Sequence, residues 1–328
     1  MTKESKMEQK SGKDSTNIQI QEFNAGLSYK EEASIEAKKR EEKLRTDFID
    51  ELEKNKIDLN EFKNPSMQLC YIDAQKGYIS YGDETSEKIL LELLKDRISE
   101  SDKSILQISL NEAVKVAPLL MKKHLNALSL LFFVKEMSIM GIRTRAELID
   151  FIKDVVLKFT KDSSLTKVDY EHLEYNKCIT KIEILKSDIF EIMRSKYKYY
   201  FLKEISYDDF QQKYSQLTKY IGSLAFFNVD SDNMLRFKEV DSFLSYNELD
   251  IISSDDREMF NKMLKDLTMS DEEFERTILD NNDLLCPLFY TWKDDLMSSC
   301  SLTTIGKVLA MTNIKLELKM PVDMSIWI

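Results

Sequence analysis

The chain has 328 residues, 43% of them hydrophobic and 32% charged, with a net charge of −11. That balance fits a charge-rich globular protein with a real core, not a disordered chain, and an overall acidic surface disfavours non-specific binding to phosphate backbones. Only 7 Gly and 4 Pro occur, too few for a turn-rich sheet fold or for phosphate-cradling glycine loops, so the expectation is a mainly α, multi-helix globular body.

Residues 1–14 are rich in Lys, Glu and Ser. Ile18 and Ile20 then alternate with Gln19 and Gln21, and the period of two predicts a short edge strand over Ile18–Phe23. Ser28 and Glu31 have capping-box spacing and open a predicted helix that runs to about Asn55, with a narrow apolar stripe of Leu44, Phe48, Ile49 and Leu52. Such a helix suits projection from the body or pairing with a copy of itself. Asn64-Pro65 pairs an N-cap with proline at the first helical position and predicts a helix to about Tyr81, broken at Gly82-Asp83.

Ile89, Leu90, Leu93, Leu94 and Ile98 define an amphipathic helix. Ser104–Ala117 is another, ended by Pro118, and Leu119–Met140 follows, ended by Gly141. The most apolar run, Leu125 to Val134, is about half of the roughly 20 residues that span a bilayer, so it reads as a buried core helix. Thr144 and Glu147 form a capping box for a helix through Phe159. Residues 161–164 mark a subdomain break, giving a mobile tail with a β-prone segment over 1–27, a helical subdomain over 28–160, and a second over 165–328.

The second half opens with a helical stretch over Val168–Phe201. Ser206 with Asp209 starts a helix to about Phe226, and Ser270 with Glu273 starts one to Leu279. Residues 250–300 form the most acidic part of the chain. After Leu302-Thr303 comes a last helix, and Asp323–Ile328 reads as a short terminal strand.

Candidate chemistry is sparse. His124 and His172 stand in helical contexts with no nearby Ser or Cys motif and read as ordinary structural or surface histidines. Cys70, Cys178, Cys286 and Cys300 make no CxxC or Cys/His cluster. No signal-peptide pattern occurs, so a cytoplasmic home is expected. Glu61-Phe62-Lys63 has the carboxylate–lysine spacing of metal-dependent nucleases but precedes a helix, not a strand. Asn228, Asp230, Asp232 and Glu239 sit at positions 1, 3, 5 and 12 of an EF-hand-like calcium loop, although position 6 is Asn233 where glycine is usual. No catalytic residue, cofactor-binding residue or other metal ligand is expected, so the protein reads as non-enzymatic.

Leu302-Thr303-x-x-Gly306-x-x-Leu309-Ala310 is similar to the stretch leading into the last helix of winged-helix domains, where Leu packs, Thr caps and Gly permits close helix contact. It implies a nucleic-acid-binding regulator as the rival reading, though the acidic stretch before it favours protein contacts. Gly12, Ser15–Gln19, Gly26–Tyr29 and Glu31, with Leu302, Thr303, Gly306, Ala310, Asn313–Lys315, Asp323 and Ser325–Ile328, resemble the terminal signatures of a poorly characterised bacterial protein family. Leu110–Ala113 and Val116–Pro118 extend that likeness through the middle of the chain. The same kind of N-terminal segment precedes unrelated effector domains in bacterial anti-phage proteins. The resemblance therefore implies a self-associating or partner-docking protein of bacterial antiviral defence.

Its proposed contacts would be β-pairings made by Asn17, Ile18, Ile20 and Phe23 or by the tail, with Ile326 and Trp327 as apolar anchors. The expected partners are a second copy, another protein, or both. Membrane is not expected and nucleic acid is disfavoured.

Overall fold

The structure is a computed structural model; it describes residues 13–57, 59–100, 103–139, 142, 144–160, 165–181, 186–227, 233–237, 252–279, 285–286, 288–289, 292 and 296–328. The fold is mainly α with only short strands, as the composition requires. Two compact units form. One comprises Met1–Lys122 with Asp323–Ile328, and the other Lys123–Val322. The division falls between Lys122 and Lys123, and the C-terminal tail groups with the first unit. The expected break over 161–164 lies outside the described residues.

In the first unit, α1 (Lys13–Lys54) is a 42-residue helix, about 63 Å long at 1.5 Å per residue. It packs with α2 (Pro65–Tyr81) and α3 (Glu84–Ile98), and α4 (Ile105–Val116) packs on those two. Each start is chemically legible. Asn64 accepts from Ser66 N with Pro65 at the first position, Asp83 accepts from Ser86 N, and Ser104 accepts from Gln107 N. These side chains satisfy amides that a helix start leaves orphaned. The core is Leu44, Phe48 and Leu52 of α1 with Met67, Cys70, Ala74, Leu90, Leu93, Leu94, Leu110 and Val114. Arg97 is fully buried within it and is held by the Asn111 side chain, the Glu100 carbonyl and the Ser66 hydroxyl at 2.7–3.1 Å. Burial draws its pKa down, and these acceptors offset the cost of sinking a guanidinium.

The second unit is built on α5 (Lys122–Lys135), buried along His124–Val134. It also contains α6 (Arg145–Thr160), α7 (Lys167–Tyr175), α8 (Ile189–Tyr197), α9 (Tyr207–Lys213), α10 (Ile221–Leu224), α11 (Ser254–Leu267), α12 (Asp271–Leu279) and α13 (Thr304–Leu318). A helix apolar on every side belongs in a core, and α5 fulfils that expectation. Among the described residues no helix is long and apolar enough to cross a membrane.

Two small sheets brace the helices. Strand β1 (Ile179–Lys181) pairs antiparallel with β5 (Cys300–Leu302), Ile179 opposite Leu302. Strands β2 (Ile205–Ser206), β4 (Met234–Phe237) and β3 (Ala225–Phe227) form an antiparallel sheet in that order. Phe210, Tyr214, Leu217, Leu235, Phe260 and Met263 fill the core against this second sheet.

Several expectations are corrected. Residues 18–23 are part of α1, not an edge strand, and α1 runs straight through Ser28–Glu31. Short apolar runs fit either period; along a helix Ile20, Phe23 and Leu27 fall at i, i+3 and i+7, one face, which the two-residue reading overlooked. The tail is also not a strand. Asp323 Oδ1 accepts from Ser325 N at 3.0 Å and Ser325 Oγ at 2.7 Å, closing a local turn that leads into a 3₁₀ turn over Met324–Ile326.

The expected helix over 168–201 stops at Tyr175, because Lys177 turns left-handed (φ 56°) and feeds β1. The helix from Ser206 likewise ends at Lys213 and gives way to a 3₁₀ turn, α10 and β3.

Candidate interaction surfaces and a buried histidine–aspartate cluster

Burial along α1 is one-sided and late. Leu44, Phe48 and Leu52 are buried, whereas every residue from Tyr29 to Glu36 is exposed, Tyr29 and Ile35 each 67%. On the side turned towards the unit, Arg40 donates to the Ile79 carbonyl at 3.0 Å and pairs with Glu36 at 3.1 Å. Lys43 pairs with Glu87, itself almost buried and accepting from Tyr78 Oη at 3.2 Å. Glu31, Glu32, Ile35, Lys38, Lys39 and Glu42 are all exposed, with Lys39 also lining a cleft beside Arg40, Lys43, Glu84 and Glu87. A helical spacing of 3.6 residues groups these six on one side.

Of the expected assembly residues, Asn17, Ile18, Ile20 and Phe23 lie in the N-terminal turns of α1, and Ile326 and Trp327 lie at the 3₁₀ turn of the tail. Ile326 is 71% exposed; Trp327 is half-buried and caps that turn through its amide to the Met324 carbonyl.

A polar cluster that the sequence does not announce sits inside the second unit. Thr166 and Asp169 form a complete capping box at the start of α7: Asp169 Oδ2 accepts from Thr166 N and Oγ1, both at 2.8 Å. Its other oxygen lies 2.9 Å from His124 Nε2 and 2.7 Å from Lys123 Nζ of α5. An ionised carboxylate only accepts, so His124 Nε2 carries the proton in this pair. The His172 ring lies 5.3 Å from the His124 ring.

His124 is 1% exposed, and desolvation lowers its pKa despite the opposing pull of Asp169. Burial would raise Asp169, but Lys123, His124 and Thr166 outweigh it and hold the carboxyl far below the usual range. His124, Asp169 and His172 therefore form one coupled cluster. No group in it has the geometry of an activated nucleophile. Its only sequence signal was the Thr166/Asp169 spacing; nothing local links residue 169 to residue 124.

The C-terminal motif is explained by packing. Thr303 Oγ1 accepts from Gly306 N at 3.1 Å and donates to the carbonyls of Lys177 and Cys178. A Cβ on Gly306 would stand 1.9 Å from the Cys178 carbonyl oxygen, so only glycine lets α13 approach β1 this closely. Asn313, 1% exposed, donates to Ser129 Oγ at 2.9 Å, and Ser129 donates to the Leu125 and Ala310 carbonyls. Residues Val308 to Ile314 are all buried. Helix α13 is thus packed into the core along Gly306 and Val308–Ile314, while Thr304, Lys307 and Lys315 near its ends keep some exposure.

The calcium-loop candidates Asn228, Asp230, Asp232 and Glu239 lie outside the described residues. On either side of 228–232, Ala225–Phe227 pairs antiparallel with Met234–Phe237. Glu61 and Lys63 lie in a 3₁₀ turn, Leu59–Lys63, with Lys63 donating to Asn60. That is a capped junction, without the strand a nuclease site of this type requires. Among the described residues no group of three His, Cys, Asp or Glu could hold a metal ion.

A family model described only as ":-like" matches residues 21–328. The chain belongs to that family. No curated protein and no solved structure matches the chain. The match takes in the buried cluster of the second unit and the first unit from residue 21 onwards.

Proposed function

We propose that this is a non-enzymatic protein that works by self-association, alone or together with docking to another protein, in the cytoplasm of a bacterium. The supporting observation is the long helix α1, whose described side chains are buried only from Leu44 onwards while Tyr29 and Ile35 remain exposed. Isolated helical segments are marginal in water, and this one contains Gly26 and β-branched Thr16, Ile18 and Ile20, which lower helix propensity. A partner surface is the physical means by which such a helix persists. A role in anti-phage defence is part of the proposal and rests on the resemblance of the terminal segments to those of anti-phage proteins.

Light scattering over a concentration series tests the self-association. The expected mass rises above the 38.5 kDa of one chain as concentration increases. A mass that stays at one chain throughout overturns it. The defence role predicts fewer plaques on cells expressing the chain, and unchanged plaque counts would remove that part.

A further inference from the structure

A cavity of about 140 Å³ lies in the second unit between α8, the 3₁₀ turn Lys198–Phe201, α11 and α12. Phe201, Leu202 and Phe274 are buried and form its inner end, with Leu264 and Met269 half-buried beside them. Arg194, half-buried, and Lys198, exposed, are its charged members, and among the described residues no carboxylate lines it. An apolar chamber with a cationic mouth runs against the chain's overall charge of −11. Its walls are fastened: the Lys203 amide donates to the Leu267 carbonyl at 2.7 Å, and Leu202 forms an antiparallel bridge with Thr268.

We propose that this cavity binds a small aromatic carboxylate of the size of benzoate, its ring among Phe201, Leu264 and Phe274 and its carboxylate on Arg194. This goes beyond the self-association reading and does not depend on it. Size and lining argue for the ring. A cavity of about 150 Å³ lined by Leu, Ile and Phe is known to take up benzene. Phe201 and Phe274 meet edge to face with centroids 4.6 Å apart, an arrangement that a third ring can extend. Thr268 Oγ1 already donates to the Leu264 carbonyl at 2.6 Å, which keeps that wall from competing for a polar guest.

Arg194 argues for the carboxylate. Its guanidinium carbon stands 4.9 Å from the Phe274 ring centroid, at the edge of the apolar wall. Only Nη1 is engaged, by Asp271, and among the described residues Nε and Nη2 have no protein partner. The planar fork therefore keeps donors in the geometry that matches a carboxylate. The Asp271 side chain is 84% exposed, so the existing pair is a weak surface one that a guest does not have to break. Lys198 adds a second positive charge, which disfavours an aromatic amine in the same place.

The test is a titration of methyl-labelled full chain with benzoate, followed by NMR. Benzoate should shift the Leu202, Leu264 and Met269 methyl signals saturably and raise the melting temperature. Acetate has the charge without the ring and benzylamine the ring with the opposite charge; each should bind about tenfold more weakly or worse. Arg194→Gln should raise the benzoate dissociation constant about tenfold. Arg194→Lys, which keeps the charge but not the fork, should fall between. Asp271→Asn, which releases Nη1, should tighten binding. Arg194 and Asp271 both reach solvent, so circular dichroism of these variants should match wild type.

Methyl signals that benzoate does not shift saturably would overturn the proposal. Acetate binding as well as benzoate would remove the ring's part in it. Benzylamine binding as well as benzoate, an unchanged constant in Arg194→Gln, or weaker binding in Asp271→Asn would overturn the assignment of the carboxylate to Arg194.

Discussion

Helices α1 and α13 lie near opposite ends of the chain and handle polar groups in opposite ways. Helix α13 is buried along Val308–Ile314, and each of its special residues answers an internal demand: Thr303 caps, Gly306 clears the Cys178 carbonyl, and Asn313 satisfies Ser129. Helix α1 keeps most of its charges exposed, while Arg40 and Lys43 reach back to the Ile79 carbonyl and Glu87. The difference shows why a short motif can look functional while serving the fold. The Leu-Thr-x-x-Gly stretch is packing chemistry, and the duller run of Glu and Lys in α1 is what stays on the surface.

Substitutions separate the two kinds of residue by what they disturb. The largest stability effect is expected at Gly306→Ala, where the new Cβ must displace a backbone carbonyl. Chemical denaturation should show a loss of about 3 kcal/mol, and a loss too small to measure would mean that α13 does not hold the observed approach to β1. Asp169→Ala removes a capping box and leaves His124 and Lys123 without their shared acceptor. The expected loss is about 2 kcal/mol, seen as a lowered melting temperature.

The same cluster gives a pH dependence of definite sign. The unfolded chain takes up a proton on a histidine at about pH 6.5, whereas folded His124 stays neutral to lower pH because burial depresses its pKa. Stability contributed there is present above about pH 6.5 and declines as pH falls. Folded Asp169 also has a depressed pKa, so its contribution is present above the unfolded value of about 3.9 and is lost as pH falls below it. Denaturation midpoints measured from pH 7.5 to 5 should therefore fall, and fall less in His124→Gln. Equal slopes in the two proteins would show that His124 does not carry the effect. The smallest change in stability is expected at Lys38→Glu with Lys39→Glu, within about 0.5 kcal/mol of wild type.

What the sequence disclosed tracks how local each feature is. The starts at Asn64, Ser104, Thr144, Ser206 and Ser270 were readable because a cap and its amide lie within three residues of each other. The buried nature of α5 was readable from an apolar run too short for a membrane. The pairing of Ile179–Lys181 with Cys300–Leu302 was not, since neither strand announces a partner more than a hundred residues away. His124 and Asp169 escaped for the same reason.

Ile18–Phe23 was misread because two apolar residues spaced by two satisfy a strand as easily as one turn of helix. Asp323–Ile328 was misread because a side chain, Asp323, decides the backbone there. The charges of α1 were fully visible, but their exposure came only with the fold.

Hydrogen exchange followed as a function of protein concentration tests the contrast most directly. Amides of α5 and α13 should be slow at every concentration. Amides of residues 29–43 should exchange quickly in dilute protein and become protected as copies associate. Exchange over 29–43 that does not change with concentration would contradict the account, whether it is uniformly fast or already as slow as the core.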